Sequence, residues 1–260
     1  MAAQDVTAPE TRADGFRREA IEMFKTVGVA LVFATVLRVV IFEPFTIPTS
    51  SMEPGLVTGD YIVISKWSYG FSRASIPFNL NLFPWMQGKR IFGRDPERGD
   101  VVVFRLPRNP DGEVYIKRLI GLPGDRVQVA KGVVFVNGKP IPHQYLGPAK
   151  DHDDPSRIVP RVVETAPNGK RYVTFGGAPD GEADNTDVYV VPEGKYFYMG
   201  DNRDNSLDSR WPMEVGVGFA PAENVVGKAQ IVMLSWRDAS ILKPWTWFNV
   251  DFSRFLQRVK

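Results

Sequence analysis

Residues 98–122 read Arg98-Gly99-Asp100-Val101-Val102-Val103-Phe104-Arg105-Leu106-Pro107-Arg108-Asn109-Pro110-Asp111-Gly112-Glu113-Val114-Tyr115-Ile116-Lys117-Arg118-Leu119-Ile120-Gly121-Leu122. Two β-branched and aromatic runs, 101–106 and 114–122, are separated by Pro, Asn, Asp and Gly, which is the pattern of a hairpin. The same pattern extends in both directions. A strand is expected at 61–64, entered from Gly59-Asp60, and hairpins at 127–136 and 161–175. Asn137-Gly138 and Asn168-Gly169 stand at turns, where the Asn-Gly pair favours type I′ geometry. Runs 188–191 and 195–199 read as a last pair of strands, and 225–234 as a return to the sheet. Gly176 to Thr186 is a Gly- and Asp-rich loop, and no repeat of fixed period occurs. No long amphipathic helix follows residue 45, so the fold class expected is mostly β: an all-β domain over 43–260.

Ahead of that domain the character changes. Residues 1–22 are polar and read as a mobile tail with a helical start near Phe16. Residues 23–42 are apolar apart from Lys25 and Arg38, long enough for one transmembrane helix whose end cations snorkel to the headgroups. A buried core helix and a cleavable signal are the rival readings. Glu43-Pro44-Phe45 follows the run where a cleavage site would need small residues, which favours an uncleaved anchor. Arg12, Arg17, Arg18 and Lys25 precede the span, and no Lys or Arg occurs from Phe42 until Lys66. The tail is therefore expected in the cytoplasm and the β domain outside.

The 260 residues are 43% hydrophobic, enough for a real core. With 32 basic against 30 acidic side chains the net charge is only +2, which argues against a nucleic-acid binder. There is no cysteine, which removes thiol nucleophiles, disulfides and cysteine-ligated zinc together. Asp151-His152-Asp153-Asp154 reads as a solvated acidic loop, with divalent-cation binding as the rival reading. The stretch 201–208 lacks the glycine and glutamate of a calcium loop. No metal and no cofactor is expected.

Chemistry concentrates nine residues beyond Phe42, in Ile47-Pro48-Thr49-Ser50-Ser51-Met52-Glu53-Pro54-Gly55-Leu56. Two prolines make the segment rigid and hold its hydroxyls out of a helix interior, although a plain serine loop would look the same. A serine nucleophile needs a base. The only histidines, His143 and His152, lie in a Pro- and Asp-rich stretch away from the strand pattern, so a Ser-His-Asp triad fits poorly. A lysine neutralised by burial is the alternative, and Lys117 is the strongest candidate. Period 2 puts it on the face of Tyr115 and Leu119 and sends Arg118 to the other. Lowering its pKa from about 10.4 to about 8 needs roughly 3 kcal/mol, within reach of desolvation. A snorkelling sheet lysine is the plainer reading, but Gly121-Leu122-Pro123-Gly124-Asp125 just beyond marks a specialised turn.

Four blocks carry a resemblance. They are Phe45-Thr46-Ile47-Pro48-Thr49-Ser50-Ser51-Met52; Arg98 through Phe104; Tyr115-Ile116-Lys117-Arg118 through Asp125; and Gly200-Asp201-Asn202-Arg203-Asp204-Asn205-Ser206 through Asp208-Ser209-Arg210. In this order the sequence resembles the bacterial type I signal peptidases, membrane-anchored Ser/Lys proteases that remove signal peptides from exported proteins. The resemblance implies Ser51 as nucleophile, Lys117 as general base, Thr49 as oxyanion donor and Ser206 as the hydroxyl that orients the lysine. Asp208 and Arg210 correspond to a supporting ion pair. Phe45, Ile47, Pro48, Met52, Leu56, Tyr115 and Ile116 correspond to the substrate pockets, which admit small side chains.

The partners implied are signal-peptide-bearing pre-proteins and membrane lipid, in the bacterial cytoplasmic membrane, with no nucleic acid. Trp245, Trp247 and the segment 78–85 supply aromatics suited to the lipid interface, and Phe252, Phe255, Leu256 and Val259 recur at the spacing of a short interfacial helix. Many family members carry glycine where this chain has Ser50, which would bring strain if that position requires φ > 0. A short span between Lys117 and Asp201 suggests a reduced inserted β subdomain over 128–195. A Ser/Lys peptidase dedicated to one substrate, a self-cleaving repressor-type protein and a non-catalytic anchored β-rich binding module are the alternative functions. The apolar run 23–42 argues against the repressor.

Overall fold

The computed structural model describes residues 12–40, 42–75, 90–110, 112, 114–151, 154–176, 181–237 and 243–260. The chain divides into two units, Met1–Ile41 and Phe42–Lys260. Among the described residues the first holds the helix α1, Arg12–Val40. It begins at Arg12, four residues ahead of the helical start read near Phe16, so residues 12–22 are helical; their Arg, Glu and Ala are strong helix formers. Val27, Val29, Leu31, Val32 and Phe33 are all exposed on it, an apolar surface that runs round the helix instead of forming one stripe. No helix among the described residues meets the length and apolarity needed to cross a membrane.

The second unit is built of antiparallel strands. The chain enters it through β1, Phe42–Thr46, which pairs β2, Asp60–Ser65, with Phe42 opposite Ser65. Phe42 therefore starts a strand instead of ending the apolar helix, and Pro44 is tolerated because β1 is the edge of the sheet. β3, Val101–Arg105, and β4, Val114–Gly121, form the expected hairpin. After β4 come β5, Arg126–Ala130, β6, Val133–Val136, β7, Lys139–Pro140, β8, His143–Lys150, β9, Ile158–Thr165, β10, Arg171–Phe175, and β11, Tyr189–Val190. The chain closes with β12, Lys195–Met199, β13, Ala220–Pro221, β14, Val225–Ser235, and β15, Gln257–Arg258.

The large sheet has the order β1-β2-β14-β3-β4-β12-β13, with β15 added to β14. Smaller sheets, β11-β5-β6-β7 and β10-β9-β8, fall between β4 and β12 in sequence and hold most of 128–195. β3 is buried on both faces. Val101 and Val103 join Ile47, Met52, Leu56, Ile62 and Ile64 in one core, while Val102 and Phe104 join Leu119, Tyr196 and Tyr198 in another. A third core, with Val127, Val129, Val134, Phe197 and Met199, ties the four-stranded sheet to β12.

Several local expectations change. β11 pairs β5 and β12 pairs β4, so 188–191 and 195–199 are not partners of each other. Asn137 and Gly138, at φ 53° and 76°, make the two-residue turn expected of them. Asn168 does not adopt positive φ; its side-chain amide instead donates to the Arg98 carbonyl at 2.9 Å. At the C-terminus the interfacial helix is absent. Phe252–Arg254 is a single 3-10 turn, capped by Asp251 accepting from the Ser253 N–H, and the next residues pair with β14. Backbone pairing to the open edge of β14 wins over the helical spacing, and Val259 packs on the first core. The apolar segment 78–85 lies outside the described residues.

Candidate active site

The segment between β1 and β2 folds into a 3-10 turn, Ser50–Met52, seated under β4 and beside the loop that follows β12. Main-chain bonds fix its ends: the Ile47 N–H donates to the Asp60 carbonyl at 2.8 Å and the Leu56 N–H to the Met52 carbonyl at 3.0 Å. Asp60 is fully buried, receives the Val57 N–H and is clasped by Arg254 through Nε and Nη2. Ile47, Met52 and Leu56, expected in the substrate pockets, are 3%, 1% and 1% exposed. They are the turn's anchors in the core, and Phe45 packs against them.

The turn presents Ser51 to β4. Lys117 Nζ lies 2.6 Å from Ser51 Oγ, and both side chains are buried. Lys117 sits opposite Val102 in the sheet, and its ammonium lies 5.7 Å from the Tyr115 ring centre. It has no carboxylate within ion-pair distance among the described residues. Burial pushes its pKa down from 10.5 to about 8, the more distant Asp208 and Asp201 pull it back up, and Arg210 lowers it further. A fraction of the amine is therefore neutral near pH 7, and neutral amine can accept the serine proton.

The loop after β12 supplies the rest. Gly200 is required where this loop meets the turn: a Cβ there would collide with Ser206 Oγ and the Ser51 carbonyl oxygen. The Asn202 N–H donates to that Ser51 carbonyl at 3.1 Å, and the Asn202 side-chain amide to the Ser50 carbonyl at 3.3 Å. Asn205 Nδ2 donates to Ser50 Oγ at 2.8 Å. Ser50 is not among the residues of positive φ, so its side chain costs no backbone strain and gains a partner instead. Asp208 accepts from Arg210 Nε at 2.9 Å and from the Gly200 N–H at 2.9 Å. Burial alone would raise the Asp208 carboxyl, but Arg210 and these hydrogen bonds hold it below the usual range.

Turn, strand and loop enclose an open cleft of about 710 Å³ lined by Pro48, Thr49, Ser50, Ser51, Val114 to Lys117, Asp204 to Leu207 and Trp211. Pro48, Tyr115 and Ile116, expected as substrate contacts, line it. Asn205, Leu207 and Trp211 were given no role from sequence, although the first two lie within the fourth sequence block and Trp211 directly follows it. Thr49 Oγ1 lies 3.5 Å from Ser51 Oγ at the cleft wall. Ser206 also lines the cleft, but its buried hydroxyl has no hydrogen-bond partner among the described residues, so the expected bond to Lys117 is not formed here. His143 opens β8 opposite Glu164, and its ring lies 3.3 Å from the Ile141 carbonyl, while His152 lies outside the described residues.

The family described as signal peptidase, peptidase S26, matches residues 20–236. The chain belongs to that family. It is 44% identical over 230 residues to signal peptidase I of Rickettsia akari, covering 82% of this chain and 83% of that one. It is 42% identical over 240 residues to signal peptidase I of Rickettsia prowazekii, covering 85% and 88%. A solved signal peptidase I from Enterococcus faecalis shares 28% identity over 52% of this chain and 97% of its own, at a TM-score of 0.30, too low to carry an argument about fold. The family match spans Ser51, Lys117 and the loop at 200–210 together.

Proposed function

We propose that the chain removes N-terminal signal peptides from exported pre-proteins by serine acyl transfer, with Ser51 as nucleophile and Lys117 as base. The observation that carries this is the 2.6 Å contact between a buried serine hydroxyl and a buried lysine lacking a carboxylate partner, at the floor of an open cleft. The pre-protein lies extended along Val114 to Ile116 and Pro48 to Thr49, by main-chain pairing, with small side chains entering the cleft. Neutral Lys117 takes the Ser51 proton as Oγ attacks the scissile carbonyl. The Thr49 hydroxyl and the Ser51 N–H hold the oxyanion, and protonated Lys117 returns its proton to the leaving amine. A water then gives a proton to Lys117 as it attacks the acyl carbon, and Lys117 passes that proton to the departing Ser51 Oγ, which restores both groups. Ser206, whose hydroxyl is free at the cleft wall, turns to Lys117 when substrate excludes water and aims the amine.

The family's substrate is a membrane-borne segment, and α1 supplies the anchor in this reading. The stretch of α1 from Met23 to Val40 spans the cytoplasmic membrane once, with the basic N-terminal segment in the cytoplasm and Phe42–Lys260 outside. The support is the apolar surface all round α1 from Val27 to Phe33. Ser51, nine residues past Phe42, is then within about 30 Å of the membrane surface. Exposed Trp245, Trp247, Phe248 and Phe252 add contact with lipid.

Labelling with an acylating serine probe, read by mass spectrometry, and cleavage of a pre-protein test the chemistry. Label on Ser51, full loss of cleavage in Ser51→Ala and near-wild-type cleavage in Ser50→Ala are expected. A Ser50→Ala enzyme as inactive as Ser51→Ala overturns the assignment.

A further inference from the structure

On the far face of β4 from Lys117, behind Arg118, lies a second cavity of about 710 Å³ that the peptidase reaction does not use. Its walls come from β8, β9, β10 and β15, and include Arg161, Arg171 and Arg258 together with Leu146, Tyr172 and Val173. No aspartate or glutamate lines it. The three arginines are exposed and make no ion pair or hydrogen bond among the described residues, in contrast to Arg118, Arg203, Arg210 and Arg254, each of which is bound to a carboxylate. Arg118, at the back of the cavity, is already neutralised by Asp201 and donates further to the Gly99 carbonyl at 2.6 Å and to the main-chain oxygen of Lys260, which also lines the cavity, at 2.9 Å. Tyr172 is 3% exposed, and its phenol O–H has no hydrogen-bond partner among the described residues.

Three guanidinia drawn round one cavity repel each other, and no aspartate or glutamate among the described residues pairs with them. Each offers a planar fork of donors that matches phosphate oxygens. The wall beside them is apolar, and Tyr145, Leu146, Phe255 and Leu256 are exposed at its margins or next to lining residues in sequence. A free ion has no use for such a wall; a phosphate carried on an acyl body does. We infer that this cleft binds the phosphate of an anionic phospholipid headgroup through Arg161, Arg171 and Arg258, with the glycerol and upper acyl carbons against Leu146, Val173 and Leu256. The lipid source rests on the membrane-anchored reading proposed above; the phosphate cleft itself does not. Occupancy would fix Phe42–Lys260 with one orientation toward the bilayer, since charge and apolar contact are satisfied together on only one face.

The test is titration calorimetry on the full chain in neutral detergent, using dihexanoylphosphatidylglycerol, dihexanoylphosphatidylcholine and inorganic phosphate as separate probes. Saturable binding of the anionic lipid is expected, at least about tenfold tighter than either other probe, and weakened by at least about tenfold in Arg161→Gln/Arg171→Gln/Arg258→Gln. Cleavage of a short soluble peptide should be unchanged in that variant, which separates failure of the cleft from failure of the Ser51–Lys117 assignment. Equal binding by the triple variant and wild type overturns the proposal. Inorganic phosphate binding as tightly as the lipid overturns the lipid assignment and makes the cleft a site for soluble anions. Should the triple variant fail to fold, Arg171→Gln alone is measured in the same way, with a loss of about threefold expected and no loss counting against the cleft.

Discussion

Lys117 and Arg118 are neighbours on β4, both almost wholly buried, and they have opposite fates. Arg118 is held by both oxygens of Asp201 at 2.6 Å, lies 3.9 Å from the Tyr172 ring centre and stays charged. Lys117 meets only a serine hydroxyl, and burial lowers its pKa. Strand alternation sends them to opposite faces, one lined with a counter-charge and the other without. The same cost of burying a cation is offset by an ion pair in one case and left standing in the other. The uncompensated site is the reactive one.

The sharpest way to break this contrast is to remove the uncompensated amine. Lys117→Met should lower kcat/KM for a pre-protein by a factor of about 10³ or more, and Lys117→Arg should be equally inactive, because a guanidinium cannot be neutral near pH 7. Stability should move the other way. The buried ammonium, with its pKa lowered from 10.5 to about 8, costs about 3 kcal/mol below pH 8, so at pH 7 Lys117→Met should match or exceed wild type in urea denaturation. Between about pH 8 and 10.5 the unfolded wild type binds more protons than the folded one, so wild-type stability rises through that window and the gap should close. A Lys117→Met protein with much lower stability at pH 7 would mean that Lys117 is a structural ion.

The converse change is Arg118→Met, which leaves Asp201 buried and unpaired. A loss of about 3–5 kcal/mol in urea denaturation is expected, with residual activity tracking the folded fraction. A smaller effect should come from Ser206→Ala: kcat falls by about tenfold with KM nearly unchanged, because the amine is misaimed while the cleft stays intact. A rise in KM with kcat preserved would place Ser206 in substrate binding instead.

How much of this was legible follows from the same physics. The β3/β4 hairpin was readable because its apolar runs and turn residues are contiguous, and Lys117 stood out because a charge inside such a run is unusual. β8 was missed: His143–Lys150 carries Gly147 and Pro148, residues of loops, and it forms a strand only because β9 pairs with it around a bulge. The partnership of β11 with β5 depends on which edge is free, a tertiary fact that no local pattern encodes. The tie between Ser50 and Asn205 spans 155 residues, so the departure from glycine looked like a source of strain from sequence and is a hydrogen bond in the fold. Ile47, Met52 and Leu56 came in as pocket residues through the family resemblance alone, and their burial in the first core, which anchors the nucleophile turn, depends on strands far away in sequence.

The central claim is that the base is a lysine made neutral by burial, and the pH dependence of kcat/KM on one peptide substrate tests it most directly. Activity should rise with pH along a single limb at an apparent pKa of about 8, since only the deprotonated Lys117 can accept the Ser51 proton. A limb near 6.5, as for a histidine, or one only above about 10, as for a solvated lysine, would contradict the account.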